Sequence, residues 1–186
     1  MTAMPNNPEA EQYYQLAVIE YIVSGIELLL GKPGVDHAGL IMVPTCCGID
    51  CAGGIVSGFH RSNVGQRFTD FMVNHMHIDE PLASYVYQCH RCGMLHEGAP
   101  KAGAILRAPH KQEIFVKDAH FLYVNVDAFG RCFVDAARNL PDADKQFLPP
   151  QYESVDGLMQ HPDILKVDSI GDFTQGQSSH SPNDYF

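Results

Sequence analysis

The chain has 186 residues, 45% hydrophobic and 18% charged, which suits one globular domain with a sizeable core and excludes a disordered chain. A formal net charge of −10 argues against generic nucleic-acid binding, because phosphate contacts need Lys and Arg. No apolar run approaches a membrane span, and the first residues lack the basic stretch and apolar core of a secretory signal. The expectation is a cytoplasmic protein without membrane contact, its six cysteines (Cys46, Cys47, Cys51, Cys89, Cys92, Cys132) being reduced thiols.

Asn7-Pro8 marks a helix start, a capping residue followed by proline at the first helical position. Tyr14, Val18, Tyr21, Ile22, Ile26 and Leu29 follow at helical spacing, and Gly31-Lys32-Pro33-Gly34 ends the helix. Across 36–58, Leu40, Val43, Cys47, Cys51 and Ile55 keep a helical period, while Pro44 and the Gly53-Gly54 pair should bend or fray it, so a kinked helix is predicted. Asn63 opens a third helix with Gln66 as its capping partner, and Phe68, Phe71, Met72, His75 and Met76 form its inward stripe. Glu80-Pro81 starts a fourth helix with Leu82, Val86, Cys89 and Gly93 on one face, broken near Gly98 and Pro100.

The pattern then changes. Glu113–Lys117 and His120–Val126 are short β-branched and aromatic runs that predict a hairpin turning at Asp118-Ala119. Asp127 is placed to cap a final helix through Phe129, Cys132, Phe133, Ala136 and Leu140, which Pro141 stops. The fold class is mainly α, a helical bundle with a small β-hairpin and a C-terminal helix. One domain is assigned to residues 1–145. Residues 146–186 are read as an irregular arm carrying Val155, Leu158, Ile164 and Val167, with a tail expected to be disordered.

The chemistry concentrates in Tyr87-Gln-Cys-His-Arg-Cys-Gly-Met-Leu-His-Glu97. Arg91 offers a permanent cation for a phosphoryl oxygen, and His96 an imidazole that moves protons near neutral pH. Five positions along an ideal helix turn a side chain by about 140°, so the pair converges only if the helix ends near Gly93 or two copies meet across a two-fold axis. Asp50, in an apolar, glycine-rich stretch, is costly there unless paired, and orienting Arg91 is one role for it; an exposed outer face is the other reading. From Arg91 to Lys117 the basic residues Arg91, Lys101, Arg107, Lys111 and Lys117 face only Glu97 and Glu113. A local basic surface on an acidic protein follows, with Lys101, Arg107 and Lys111 as candidate RNA contacts.

Zinc is the competing reading. Cys89-x2-Cys92 and Cys47-x3-Cys51 supply four thiols at zinc-like spacing, but Cys89, Cys47 and Cys51 fall on apolar stripes, where cysteine packs as a small hydrophobe. His75-x-His77 with Asp79 is weaker, because i,i+2 residues on a helix point apart. No metal and no cofactor is expected.

The four helices, the Arg-x4-His at the end of the fourth and the hairpin-plus-helix extension resemble the HEPN superfamily. The phrase Arg91-Cys92-Gly93-Met94-Leu95-His96 is similar to the Arg-Cys-Gly-Leu-Leu-His of uncharacterised bacterial members, and Arg67-Phe68-Thr69-Asp70-Phe71 looks like the family's Arg-Phe-x-x-Phe. The resemblance covers roughly residues 10 to 140. It implies a helical bundle that dimerises, with Arg91 and His96 at the catalytic positions of a metal-independent endoribonuclease of the kind found in toxin–antitoxin and defence systems. Asp50, His90 and Cys92 would support the pair, and an antitoxin or other protein is an implied partner. Active members usually carry a polar residue, often asparagine, where this chain has Cys92. The alternative is therefore a catalytically silent module that binds a nucleotide, an RNA or a protein.

Overall fold

Asn7 Oδ1 accepts the Ala10 N–H at 3.2 Å with Pro8 in the first turn, so the first helix, α1 (Pro8–Leu30), begins at the predicted capping residue. The computed structural model describes residues 7–30, 32, 38–60, 63–117 and 119–149. The predicted stop at residues 31–34 and the arm and tail from residue 150 onward lie outside the described residues, apart from Lys32. Within α1, Gln15–Val23 widens to π-helical winding. The Tyr14 hydroxyl donates to the Ala137 carbonyl at 2.7 Å, tying α1 to the last helix deep in the core.

The second helix, α2 (Gly39–Ser57), is the centre of the fold. Ile41, Met42, Cys46, Ile49, Ala52 and Ile55 are all fully buried along it. Pro44 leaves the Leu40 carbonyl without its helical donor, but Leu40 lies in the first turn and is exposed, so the loss falls at the open end of the helix. The Gly53-Gly54 pair does not fray the helix as expected. A Cβ at Gly53 would sit 2.7 Å from the Arg67 carbonyl, so the glycine lets the third helix, α3 (Val64–Asn74), cross at backbone distance. The predicted capping box at Asn63 is absent as well. Gln66 instead donates to Asp70 at 2.7 Å, a helical i,i+4 pair. Phe68, Phe71, Met72 and Met76 are buried as the stripe required, with His75 half-buried beside them.

The fourth helix, α4, spans residues 80–97 as Glu80–Tyr85, a π-wound turn Val86–Arg91, and Cys92–Glu97. The wider turn shifts the inward stripe to Ala83, Val86, His90 and Gly93, so His90 and not Cys89 is the fully buried residue at that level. Gly98 ends the helix in the left-handed conformation. The chain then folds back over Gly93, where an added Cβ would collide with the Ala99 carbonyl, and the Lys101 N–H donates to the Cys89 carbonyl.

Three strands follow: β1 (Ala104–Leu106), β2 (Phe115–Lys117) and β3 (Leu122–Asn125), in the order β1-β3-β2. β2 and β3 form the predicted hairpin, Val116 opposite Tyr123. β1, parallel to β3, has too short an apolar run to be read from sequence. The last helix, α5 (Val126–Arg138), starts two residues earlier than predicted, with Asn125 and not Asp127 at the N-cap position. Asp127 therefore lies inside the first turn, fully buried, and does not cap the helix. α5 packs on α2 and on the middle and C-terminal parts of α1. Gln146 and Phe147 both donate their N–H groups to the Ile55 carbonyl, and Asn7 Nδ2 donates to the Gln146 carbonyl, so the chain stays docked past the expected boundary at 145.

The fold is mostly helical with a small three-stranded sheet. Among the described residues two helices, Pro8–Leu30 and Ala38–Ser57, are by length and composition apolar enough to cross a membrane. Isolated polar residues break their apolar runs, which is why no continuous run signals this in the sequence. Over half of the second is buried in the fold, as befits a core helix.

Candidate active site

Arg91 ends the π-wound turn of α4 and reaches across to Asp50 in the middle of α2, 41 residues away. Its Nε and Nη2 both donate to Asp50 Oδ2, at 2.8 and 2.6 Å. Each side chain is only 15% exposed, so solvent screens the pair weakly. The remaining Nη1 lies 3.4 Å from His96 Nε2 and can donate to it when that nitrogen carries no proton. His96 itself is exposed. The Arg91 guanidinium also lies 5.6 Å over the Tyr87 ring, one turn earlier on the same helix.

Arg91 and His96 thus meet within one chain, although α4 runs on past Gly93 to Glu97. The expectation that convergence needs a helix end or a second copy is corrected. At the Arg91–Cys92 step the Cys92 N–H bonds back five residues to the Tyr87 carbonyl, which widens the turn, and the long arginine covers the rest.

Burial raises the Asp50 carboxyl above its ordinary value, and the hydrogen bonds and charge of Arg91, then the charge of Arg67, pull it back part of the way. Burial alone would lower the Arg91 guanidinium; the hydrogen bonds and charge of Asp50 more than reverse that, and the arginine is held charged. Asp50 Oδ1 is buried and has no hydrogen-bond partner among the described residues, because both guanidinium bonds fall on Oδ2. Arg67, in α3, donates from Nη1 to the His60 carbonyl at 3.2 Å and lies 5.6 Å over Phe59. Burial raises the thiols of Cys47 and Cys51, the latter to about 11, so neither is a thiolate nucleophile at neutral pH.

The other expected site residues sit as follows. Cys92 is half-buried next to Tyr87. His90 is fully buried and faces away from the pair. Its Nε2 lies 3.4 Å from the Ala104 carbonyl of β1, and its ring meets Tyr85 edge-on at 5.1 Å. Burial lowers its pKa, more than the bond to Ala104 raises it, and Nδ1 has no partner among the described residues.

Of the basic residues, Arg91 and Arg107 are committed to largely buried ion pairs and Lys101 to an exposed one. Arg107 is not an exposed RNA contact, because its Nε and Nη2 donate to the carboxylate of fully buried Asp127, the shortest bond 2.6 Å. Lys101 pairs with Glu97 at 3.3 Å. Lys111 is exposed, its carbonyl accepting from Arg131 at 2.9 Å. Among the described residues no group of three or more His, Cys, Asp or Glu is arranged to hold a metal ion.

Two contributors went unassigned in the sequence. Tyr87 was findable as the residue four positions before Arg91 on the same helix face. Arg67 was visible only as part of an Arg-Phe-x-x-Phe pattern, with nothing local to relate it to Asp50. Compared with protein-family models, curated proteins and solved structures, the chain has no significant match.

Proposed function

We propose that the protein is a HEPN-type endoribonuclease in which Arg91 and His96 act on an RNA phosphodiester without a metal. The observation that carries this reading is the 3.4 Å approach of Arg91 Nη1 to His96 Nε2, with Arg91 anchored from behind by Asp50. A fixed cation beside an exposed imidazole is what 2′-hydroxyl attack on phosphorus requires. The neutral imidazole removes the 2′-hydroxyl proton, and the 2′ oxygen bonds to phosphorus. Arg91 offsets the charge gathering on the non-bridging oxygens, and Asp50 keeps its guanidinium from swinging away. The P–O5′ bond breaks, and the 5′ oxygen leaves with a proton from a second imidazole, His96 of the partner subunit in the homodimer this reading includes. The products are a 2′,3′-cyclic phosphate and a 5′-hydroxyl.

A second reading, a silent module binding nucleotide, RNA or protein, draws on the pairing of Lys101 with Glu97 and of Arg107 with Asp127, which leaves fewer free cations to hold a long RNA. Cleavage of an end-labelled RNA pool in EDTA, beside His96→Ala and Arg91→Ala, separates the two. Expected are cyclic-phosphate ends and a loss of about 100-fold or more in each variant. Intact RNA, or variants that cut like the parent, leaves the silent module.

A further inference from the structure

A second cleft, of about 410 Å³, opens between the C-terminal end of α3 and the outer face of α5. Its volume falls in the range of small-molecule sites, and none of its lining residues belongs to the Arg91–His96 site. The polar residues around it are His75, His77, Gln112, Arg131, Asp135 and Asn139; Met76, Ile114 and Ala128 are among the apolar ones.

His75 and His77 were expected to point apart. That rule holds inside a helix, and α3 ends at Asn74. Past the end, His77 takes φ of 55°, the only non-glycine residue at positive φ among the described residues. This left-handed turn brings both residues to the wall of the one cleft. A side chain is held there against a steric penalty that glycine would avoid, and such strain gathers at ligand sites. Burial lowers the pKa of His75, Asp144 opposes this, and the nearby His77 lowers it further.

Arg131 and Asp135 stand one turn apart on α5, at a spacing where opposite charges commonly pair. Here they do not. No carboxylate lies within 4.0 Å of Arg131 among the described residues, and its Nη2 donates to the Lys111 carbonyl, leaving most of its five donors uncommitted there. Cys132, between them, donates to the Met76 carbonyl, and burial pushes its thiol up to about 11, which suits a wall and not a nucleophile.

From this arrangement we infer that the cleft binds a small anionic molecule, a phosphate or carboxylate held by Arg131, His75 and His77, whose remaining part offers a hydrogen-bond donor to Asp135. The site is separate from the proposed nuclease site. Isothermal titration of the full chain at pH 7 tests it with adenosine 5′-monophosphate and inorganic phosphate as one arm, L-aspartate as the other. Binding in one arm names the anion. It is expected to weaken at least tenfold in Arg131→Ala and in His77→Gly, and to persist in Arg91→Ala. His77→Gly suits φ of 55° and so keeps the fold, which covers the case in which Arg131→Ala fails to fold. RNA cleavage is expected to be unchanged in His77→Gly, so the two sites fail independently. No binding in either arm, or binding that both cleft variants retain, overturns the inference.

Discussion

Asp50 takes two donors of Arg91 on a single carboxylate oxygen, Oδ2, and leaves Oδ1 buried without a partner among the described residues. The arginine is thereby held by its Nε edge, and only Nη1 is turned toward His96. The pair joins the centre of the core helix to the one turn of α4 that carries the Arg-x4-His spacing.

Asp50→Ala removes the acceptor and leaves a poorly solvated guanidinium. With each partner 15% exposed, the loss should fall at or below the low end for a fully buried pair, roughly 2–3 kcal/mol in urea unfolding. Asp50→Asn keeps an acceptor and is expected to lose less. Equal stability of parent and Asp50→Ala would show that the pair does not anchor Arg91.

Arg107→Ala is expected to act on folding first. Asp127 is fully buried, and removing its partner strands a carboxylate in the core, at a cost of about 3–5 kcal/mol. Thermal unfolding should show a large drop in midpoint. A variant as stable as the parent that instead binds RNA less well returns Arg107 to the RNA surface.

Stability should depend on pH through His90. Its folded-state pKa is lowered from 6.5 by burial, so the unfolded chain takes up the proton first as pH falls. The neutral His90 contribution is complete above pH 6.5 and is lost progressively below it. His75, also lowered, adds a slope of the same sign. Unfolding free energy between pH 7.5 and 5.5 should therefore fall less steeply in His90→Gln than in the parent, without becoming flat. An unchanged slope would falsify the assignment.

Two glycine substitutions should have opposite signs. Gly53→Ala places a methyl 2.7 Å from the Arg67 carbonyl, a rigid backbone atom, and should cost about 1–3 kcal/mol by forcing α2 and α3 apart. Gly25→Ala lies in α1 with nothing within 4 Å of the new methyl, and should stabilise by about 0.5–1 kcal/mol. Denaturant midpoints of the two variants against the parent decide both.

The helices were legible because their signals are local. Asn7-Pro8, Glu80-Pro81, the stripe from Phe68 to Met76 and the run from Phe129 to Leu140 each depend on neighbours within four residues, and hydrogen bonds and side-chain packing in a helix act over that range. At two places where a local rule failed, a distant group had intervened. Gly53 reads as a helix breaker until α3 is laid across it, and Asp127 reads as a cap until Arg107 is brought to its side.

The candidate site divides in the same way. Arg91 and His96 could be named from one turn of sequence, and their residue types set the chemistry they can perform. The sequence left Asp50 either orienting Arg91 or on an exposed face, and packing decided for the first. That Nη1 turns to His96, that Arg107 is spent inside the fold, and that His75, His77 and Arg131 share one cleft were also decided by packing. Ion pairs across 20 or 41 residues exist only where helices bury enough apolar surface to hold two backbones at the right separation, and no pattern along the chain encodes that distance.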